Sequence, residues 1–155
     1  MTSKRYVLFS IKPPYAKLIL EGSKSIELRT KIPKLQKGDI LVFYESSPVK
    51  MITFTAEVDK VIIAKPEILW NQYHASLGLS KQSYDSYFKN HELAYGIRLS
   101  NIIAIQHAPI DSILGKEQRP PQSFRYLSLD VFESILLRKK ERTGDLADAI
   151  VEKMD

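Results

Sequence analysis

The chain has 155 residues, 44% hydrophobic and 26% charged, with a net charge of +5 and no cysteine. Such a composition is ordinary for a globular protein and excludes a disordered or fibrous chain, and a domain of this length buries roughly 70% of the surface its unfolded form exposes. Without cysteine there are no disulfides, thiolate metal sites or cysteine nucleophiles; His74, His91 and His107 have no metal-ligand spacing; and no apolar run approaches the roughly 20 residues of a membrane span, so a soluble cytoplasmic protein with no metal and no cofactor is expected.

Arg5 to Ile11 reads as a strand, apolar enough to be buried on both faces. Lys12-Pro13-Pro14 stops it, and because proline suits a first helical turn, a short helix follows through Glu21, with Tyr15, Leu18 and Ile19 as its apolar stripe and Gly22 as its cap. Ser25 to Lys31 returns as a strand. A turn-rich stretch from Ile32-Pro33 to Gly38-Asp39 leads into a strand over Ile40 to Tyr44, and Met51 to Ile63 is a long strand of the bent kind found in barrels. After Pro66, Ile68, Leu69, Trp70 and Tyr73 predict a helix closed by Gly78. Ser80 caps a second helix whose Tyr84, Tyr87 and Phe88 form a buried stripe. Two further strands are predicted over Leu93 to Leu99 and Ile102 to His107.

Gly115 to Leu127 has no periodicity and contains Pro120-Pro121, which predicts a loop lying across the barrel. Beyond Ser128, the residues Val131, Phe132, Ile135 and Leu136 mark a helix ending in Arg138-Lys139-Lys140, and Thr143 opens a last acidic helix. Strands, two inserted helices and strands again indicate an α+β fold built on a mixed β-barrel. The expected division is a barrel domain over 1–127 and a C-terminal helical extension over 128–155.

Charge is uneven along the chain. Residues 1–50 hold ten Lys and Arg against four Asp and Glu, and the remainder thirteen against fourteen. Clustered cations of this kind form either a solvated face or a phosphate-facing patch. Gly22-Ser23-Lys24-Ser25-Ile26-Glu27-Leu28-Arg29 has the form G-x-K-x-x-E-x-R at the junction of the first helix and the second strand. Phe9-Ser10-Ile11-Lys12-Pro13, Gly38-Asp39 leading to Tyr44-Glu45-Ser46-Ser47-Pro48, Ala94-Tyr95, and Pro121 to Leu127 accompany it in order. Together these resemble the ASCH domain, the activating-signal-cointegrator homology family of the PUA superfamily, over residues 4 to 127. The resemblance implies a five- or six-stranded PUA-like barrel with a cleft beside the first helix, suited to RNA or a nucleotide-like ligand.

The residues also carry a chemistry of their own. Strand alternation sends Glu27 and Arg29 to one side, where they form either a structural ion pair or a recognition pair: the guanidinium fits phosphate in bidentate fashion and the carboxylate accepts from a base. Lys24 offers a point charge, and Lys12 is a second cationic candidate for binding. Tyr44, Phe124 and Tyr126 are either core or a stacking platform. Ser10, Ser46, Ser47, Gln122 and Ser123 are uncharged groups for base edges, although Ser46 and Ser47 before Pro48 are also ordinary turn formers.

Three function classes follow: an RNA- or nucleotide-binding, regulatory protein; an enzyme; and a protein-interaction module whose C-terminal helices dock a partner or a second copy. Some ASCH proteins are ribonucleases, and Lys24, Tyr44, Lys50 and Ser123 are the candidate catalytic groups for that reaction. Another branch hydrolyses an amide of acetylated cytidine with a threonine three residues after the lysine. Here that position is Glu27, which cannot become an alkoxide nucleophile. The branch's acid would fall near Ser76 to Gly78, where none stands.

Overall fold

The computed structural model describes residues 3–115 and 119–137. Six strands, β1 (Tyr6–Ile11), β2 (Ile26–Arg29), β3 (Ile40–Glu45), β4 (Met51–Ala64), β5 (Ala94–Ala108) and β6 (Phe124–Leu127), form one sheet in the order β2-β5-β4-β3-β1-β6. β1 and β3 are parallel; the other pairs are antiparallel. Helix α1 (Pro13–Glu21) follows β1, while α2 (Pro66–Tyr73), a 3-10 turn (His74–Ser76) and α3 (Lys81–Tyr87) stand between β4 and β5. A short α4 (Asp111–Leu114) precedes β6, and residues 129–137 are helical. Among the described residues no helix is long and apolar enough to cross a membrane.

Alternation along the strands feeds two cores. Val7, Phe9 and Ile11 of β1 meet Leu41 and Phe43 of β3, Phe54 of β4 and the α1 residues Ala16 and Ile19. Leu8, Val42 and Tyr44 face the other way, against Ile52, Ile105 and Ile110. Phe132 and Ile135 join that second core, with Tyr6 stacked on Phe132 at 4.3 Å, and Ser128 Oγ accepts from Val131 N at the helix start. A third cluster seats α2 and α3 on the β2–β5–β4 end through Leu69, Leu77, Tyr84 and Phe88. The stretches 138–140 and 143–150, predicted as helix end and acidic helix, lie outside the described residues.

The sheet corrects the expected barrel. Its backbone ladder does not close, because the edge strands β2 and β6 are four residues each and do not pair with one another. The sheet curls far enough for a side chain to span the seam instead. From β2, Arg29 donates to Ser10 O of β1 at 2.6 Å and to Ser123 O, just before β6, at 3.4 Å. Register shifts at Phe43/Tyr44, Ile52/Phe54, Thr55/Glu57 and Val58/Lys60 supply the bend, since each unpaired residue increases local twist.

Two further expectations change. The strands predicted over 93–99 and 102–107 are one fifteen-residue strand, β5, which passes through Asn101 at φ 47; asparagine tolerates a positive φ, so the polar Ser100-Asn101 pair bends the strand without ending it. The predicted loop over 115–127 contains β6, which pairs Phe124 to Leu127 with β1 and so uses β1's remaining hydrogen-bonding edge.

Candidate functional site

The end of α1 sets the geometry of the cleft. Gly22 adopts φ +87, and Ser23 N and Lys24 N both donate to Leu18 O. Residues 22–25 thus belong to the helix cap, and the β2 ladder starts only at Ile26. Regular alternation would send Lys24, with Ile26 and Leu28, to the face opposite Glu27 and Arg29; the irregular start after Gly22 instead lets it open on the same cleft.

That cleft has a volume of about 420 Å³. Ser10 and Ile11 at the end of β1, Lys12, Tyr15 of α1, Lys24, Glu27, Leu28, Arg29, Ser46 and Gln122 form one part of its wall, and Leu79, Ser83 and Tyr87 of the inserted helical region form the other. A wider groove of about 890 Å³ beside α2 is lined by Lys81 and Asp85, which pair with each other. Of the two, the smaller has buried ionisable groups on its wall, Lys24 and Glu27.

Lys24 is 2% exposed and donates through Nζ to Leu77 O at 2.6 Å. Its stem passes beneath Gly78, at φ +71, where an added Cβ would stand 3.0 Å from Lys24 Cβ. Burial holds the amine below its ordinary value of 10.5; Glu27 opposes that shift and Arg29 adds to it. Glu27 is 6% exposed, accepting from Leu28 N at 3.0 Å and from Arg29 Nη2 at 3.4 Å. Arg29 lies 4.5 Å from the Phe9 ring centroid while bonding Ser10 O, Ser123 O and Glu27. Its guanidinium therefore acts as a strut across the seam, the structural one of its two readings, while Arg29 still lines the cleft. Tyr87, 43% exposed, places its hydroxyl 3.4 Å from Leu28 O, and burial raises its pKa.

Of the residues singled out for binding, the structure brings Ser10, Lys12, Lys24, Glu27, Arg29, Ser46 and Gln122 to the cleft. Ser10 Oγ donates to Pro121 O at 2.6 Å and so ties down the segment that carries Gln122. Ser47 and Lys50 lie exposed on the turn after β3 and do not line the cleft. Lys50 takes φ 54 there, beyond the cis Ser47-Pro48 bond.

Tyr44 is 6% exposed and packs in the second core, so its ring is not a stacking surface; burial raises its pKa. Tyr126 is 50% exposed but lies beside Tyr6, Leu127 and Leu129, away from the cleft. Phe124 packs on the first core against Phe9. Ser123 is half-buried beside Arg29.

Sequence reasoning missed Tyr15, Leu79, Ser83 and Tyr87 as cleft residues. The helical stripe predicts Tyr87 in the core with Tyr84 and Phe88. Those two are an i,i+4 pair, Tyr84 within α3 and Phe88 at its C-cap, that fills the inward face and leaves Tyr87 on the flank. Among the described residues no group of three or more His, Asp or Glu converges as a metal site.

A family model described as the ASCH domain matches residues 9–103. A Zymomonas mobilis protein named ASCH domain-containing ribonuclease is 30% identical over 128 residues, covering 80% of this chain and 85% of that protein. The crystal structure of ASCH from Zymomonas mobilis superposes with a TM-score of 0.81 at 26% identity, covering 86% of this chain and 95% of its own. Structures of a tyrosine-to-phenylalanine and a serine-to-alanine variant of that protein superpose equally well, at 0.81 and 0.80. The N-terminal domain of Staphylothermus marinus McrB, at 11% identity and a TM-score of 0.54 over 88% of this chain and 98% of its own, shares the fold alone.

Proposed function

Because the chain belongs to the ASCH domain family, with a relative of 30% identity named a ribonuclease, we propose that it acts on RNA, admitting one unstacked base of a single strand to the cleft beside α1. The observation that carries this reading is that a buried donor, Lys24, and a buried acceptor, Glu27, share the wall of one cleft also lined by Tyr15 and Tyr87. An amine and a carboxylate held in place suit the carbonyl and amino groups of a base edge, and the rings offer the faces on which bases stack. Lys12, exposed on the cleft wall, supplies charge for the backbone.

The test is retention of a labelled single-stranded RNA by the purified protein, compared with Lys24→Met and Glu27→Gln. Both variants are expected to lose most of the binding. On the wild type, log affinity is expected to fall against log salt by about 0.7 per phosphate contacted. Retention that ignores both substitutions would overturn the cleft reading.

A second reading is catalytic, and a specific arrangement favours it beside the relative's name. Ser10 pairs with Tyr44 on one side of β1; on the other, Phe124, which follows Ser123, pairs with Phe9. Lys50 closes the adjoining turn, with its N–H donating to Ser46 O at 3.4 Å. The backbones of Tyr44, Lys50 and Ser123 thus lie round the end of β1, with the Tyr44 ring turned into the second core and Lys24 standing apart. RNA cleavage that falls with Tyr44→Phe, Lys50→Ala and Ser123→Ala supports a ribonuclease. Retained RNA that stays intact with the wild-type protein supports a binder.

A further inference from the structure

β4 and β5 place Lys60 directly opposite Arg98. Like charges facing each other across an antiparallel pair repel, so this rung calls for a counter-charge, and the neighbouring acids do not provide one. Asp59 pairs with Lys37 at 3.8 Å, and Glu57 accepts from Asn101 at 3.5 Å. Among the described residues, neither the Lys60 nor the Arg98 side chain forms an ion pair or hydrogen bond. Both cations instead lie over the ring of Tyr73 at the end of α2, with Lys60 Nζ 5.7 Å and Arg98 Cζ 5.6 Å from its centroid. A ring attracts cations through its quadrupole but carries no net charge, so two positive charges remain uncompensated on a half-buried aromatic platform.

We infer that Lys60, Arg98 and Tyr73 form a phosphate-binding site separate from the cleft. A planar guanidinium fork, an ammonium and a phenolic hydroxyl without a partner among the described residues match the oxygens and the charge of a phosphate group. The position relates this site to the cleft. Leu99 N donates to Ser25 O at 2.9 Å, so Arg98 stands beside the helix cap that carries Lys24. The 3-10 turn His74–Ser76 joins Tyr73 to Leu77, whose carbonyl holds the Lys24 amine. The phosphate comes either from an RNA strand whose base occupies the cleft, a source that rests on the reading above, or from a free anion.

Two measurements test the site on the full chain. In the first, the Arg98 Nε–H resonance is followed by NMR during titration with millimolar inorganic phosphate; a saturable shift that Lys60→Gln weakens and Tyr73→Phe reduces is expected. In the second, binding of a short labelled oligouridylate is measured across a salt series for wild type, Lys60→Gln/Arg98→Gln and Lys24→Met. The double variant is expected to lower the log-log salt slope by about 1.4, two contacts at about 0.7 each, whereas Lys24→Met weakens binding but leaves those two contacts in the slope.

A phosphate shift together with the lower slope identifies the ligand as an RNA backbone. A phosphate shift with an unchanged slope supports the site but assigns it a free anion. No shift and no change of slope overturn the site. If the wild type retains no RNA at any salt, the RNA reading fails by itself and the phosphate titration alone decides.

Discussion

Replacing Lys24 with methionine preserves the stem and removes the charge, and two effects then oppose each other. The lost donor orphans the Leu77 carbonyl now held at 2.6 Å, which costs about 1–3 kcal/mol. In the other direction, the variant no longer buries an ammonium group, whose desolvation costs several kcal/mol and is only partly offset by an ion partner. Near pH 7 these terms largely cancel, and the expected midpoint of thermal unfolding lies within about 4 °C of the wild type.

The pH dependence separates the two proteins. Burial lowers the pKa of Lys24 in the folded chain below 10.5. Between that lowered value and 10.5 the unfolded chain therefore binds the extra proton, and stability rises with pH by up to about 1.4 kcal/mol per unit for this one group. Below the window both states are protonated, and above it both are neutral, so the contribution is flat on either side. Tyr84, raised to about 12, and Tyr87, also raised, act in the opposite sense above pH 10. They are common to both proteins and cancel in the difference. Urea unfolding from pH 7 to 10.5 should show the wild type gaining on Lys24→Met as pH increases. Parallel curves would refute the buried amine on which the cleft reading depends.

Other substitutions probe the supports of the site. Arg29→Ala leaves Glu27 without its guanidinium partner and cuts the strut to Ser10 O and Ser123 O; urea titration should show a loss of about 3–5 kcal/mol. Gly78→Ala forces a Cβ to within 3.0 Å of Lys24 Cβ at a positive φ, so a loss of about 1–2 kcal/mol should accompany weaker RNA binding. Thr53→Val removes the hydroxyl that donates to the buried Glu45 carboxylate at 2.6 Å, for an expected loss of about 1–3 kcal/mol by the same denaturation assay. Tyr87→Leu takes an aromatic face from the cleft and should weaken RNA binding about tenfold, the scale of one base stack, with little change in melting temperature.

Local signals in the chain were sufficient for much of the fold. Pro13-Pro14 and Gly22 bound α1, and the Ser80 side chain accepts from Ser83 N as the cap of α3. The alternation of Val7, Phe9 and Ile11 against Leu8 matches the two faces of β1. The G-x-K-x-x-E-x-R segment already marked the residues that come to share the cleft. Each of these is set by neighbours within a turn or a strand, where backbone geometry and periodicity act directly.

The remaining features depend on distant partners. Whether Arg29 stays open to a ligand is settled by two carbonyls 19 and 94 residues away. Lys24 is turned toward the cleft by a helix cap and held by a carbonyl 53 residues further on. Tyr44 is drawn inward by Ile52, Ile105 and Ile110, and Tyr87 is left at the surface because Tyr84 and Phe88 take the inward face of α3. Residue type and spacing thus determined which elements form and which side chains meet near α1. Only the curl of the sheet and the packing of the inserted helices decided which of those side chains keep a free donor or face, because a side chain's spare bonding capacity is what remains after its long-range partners are satisfied.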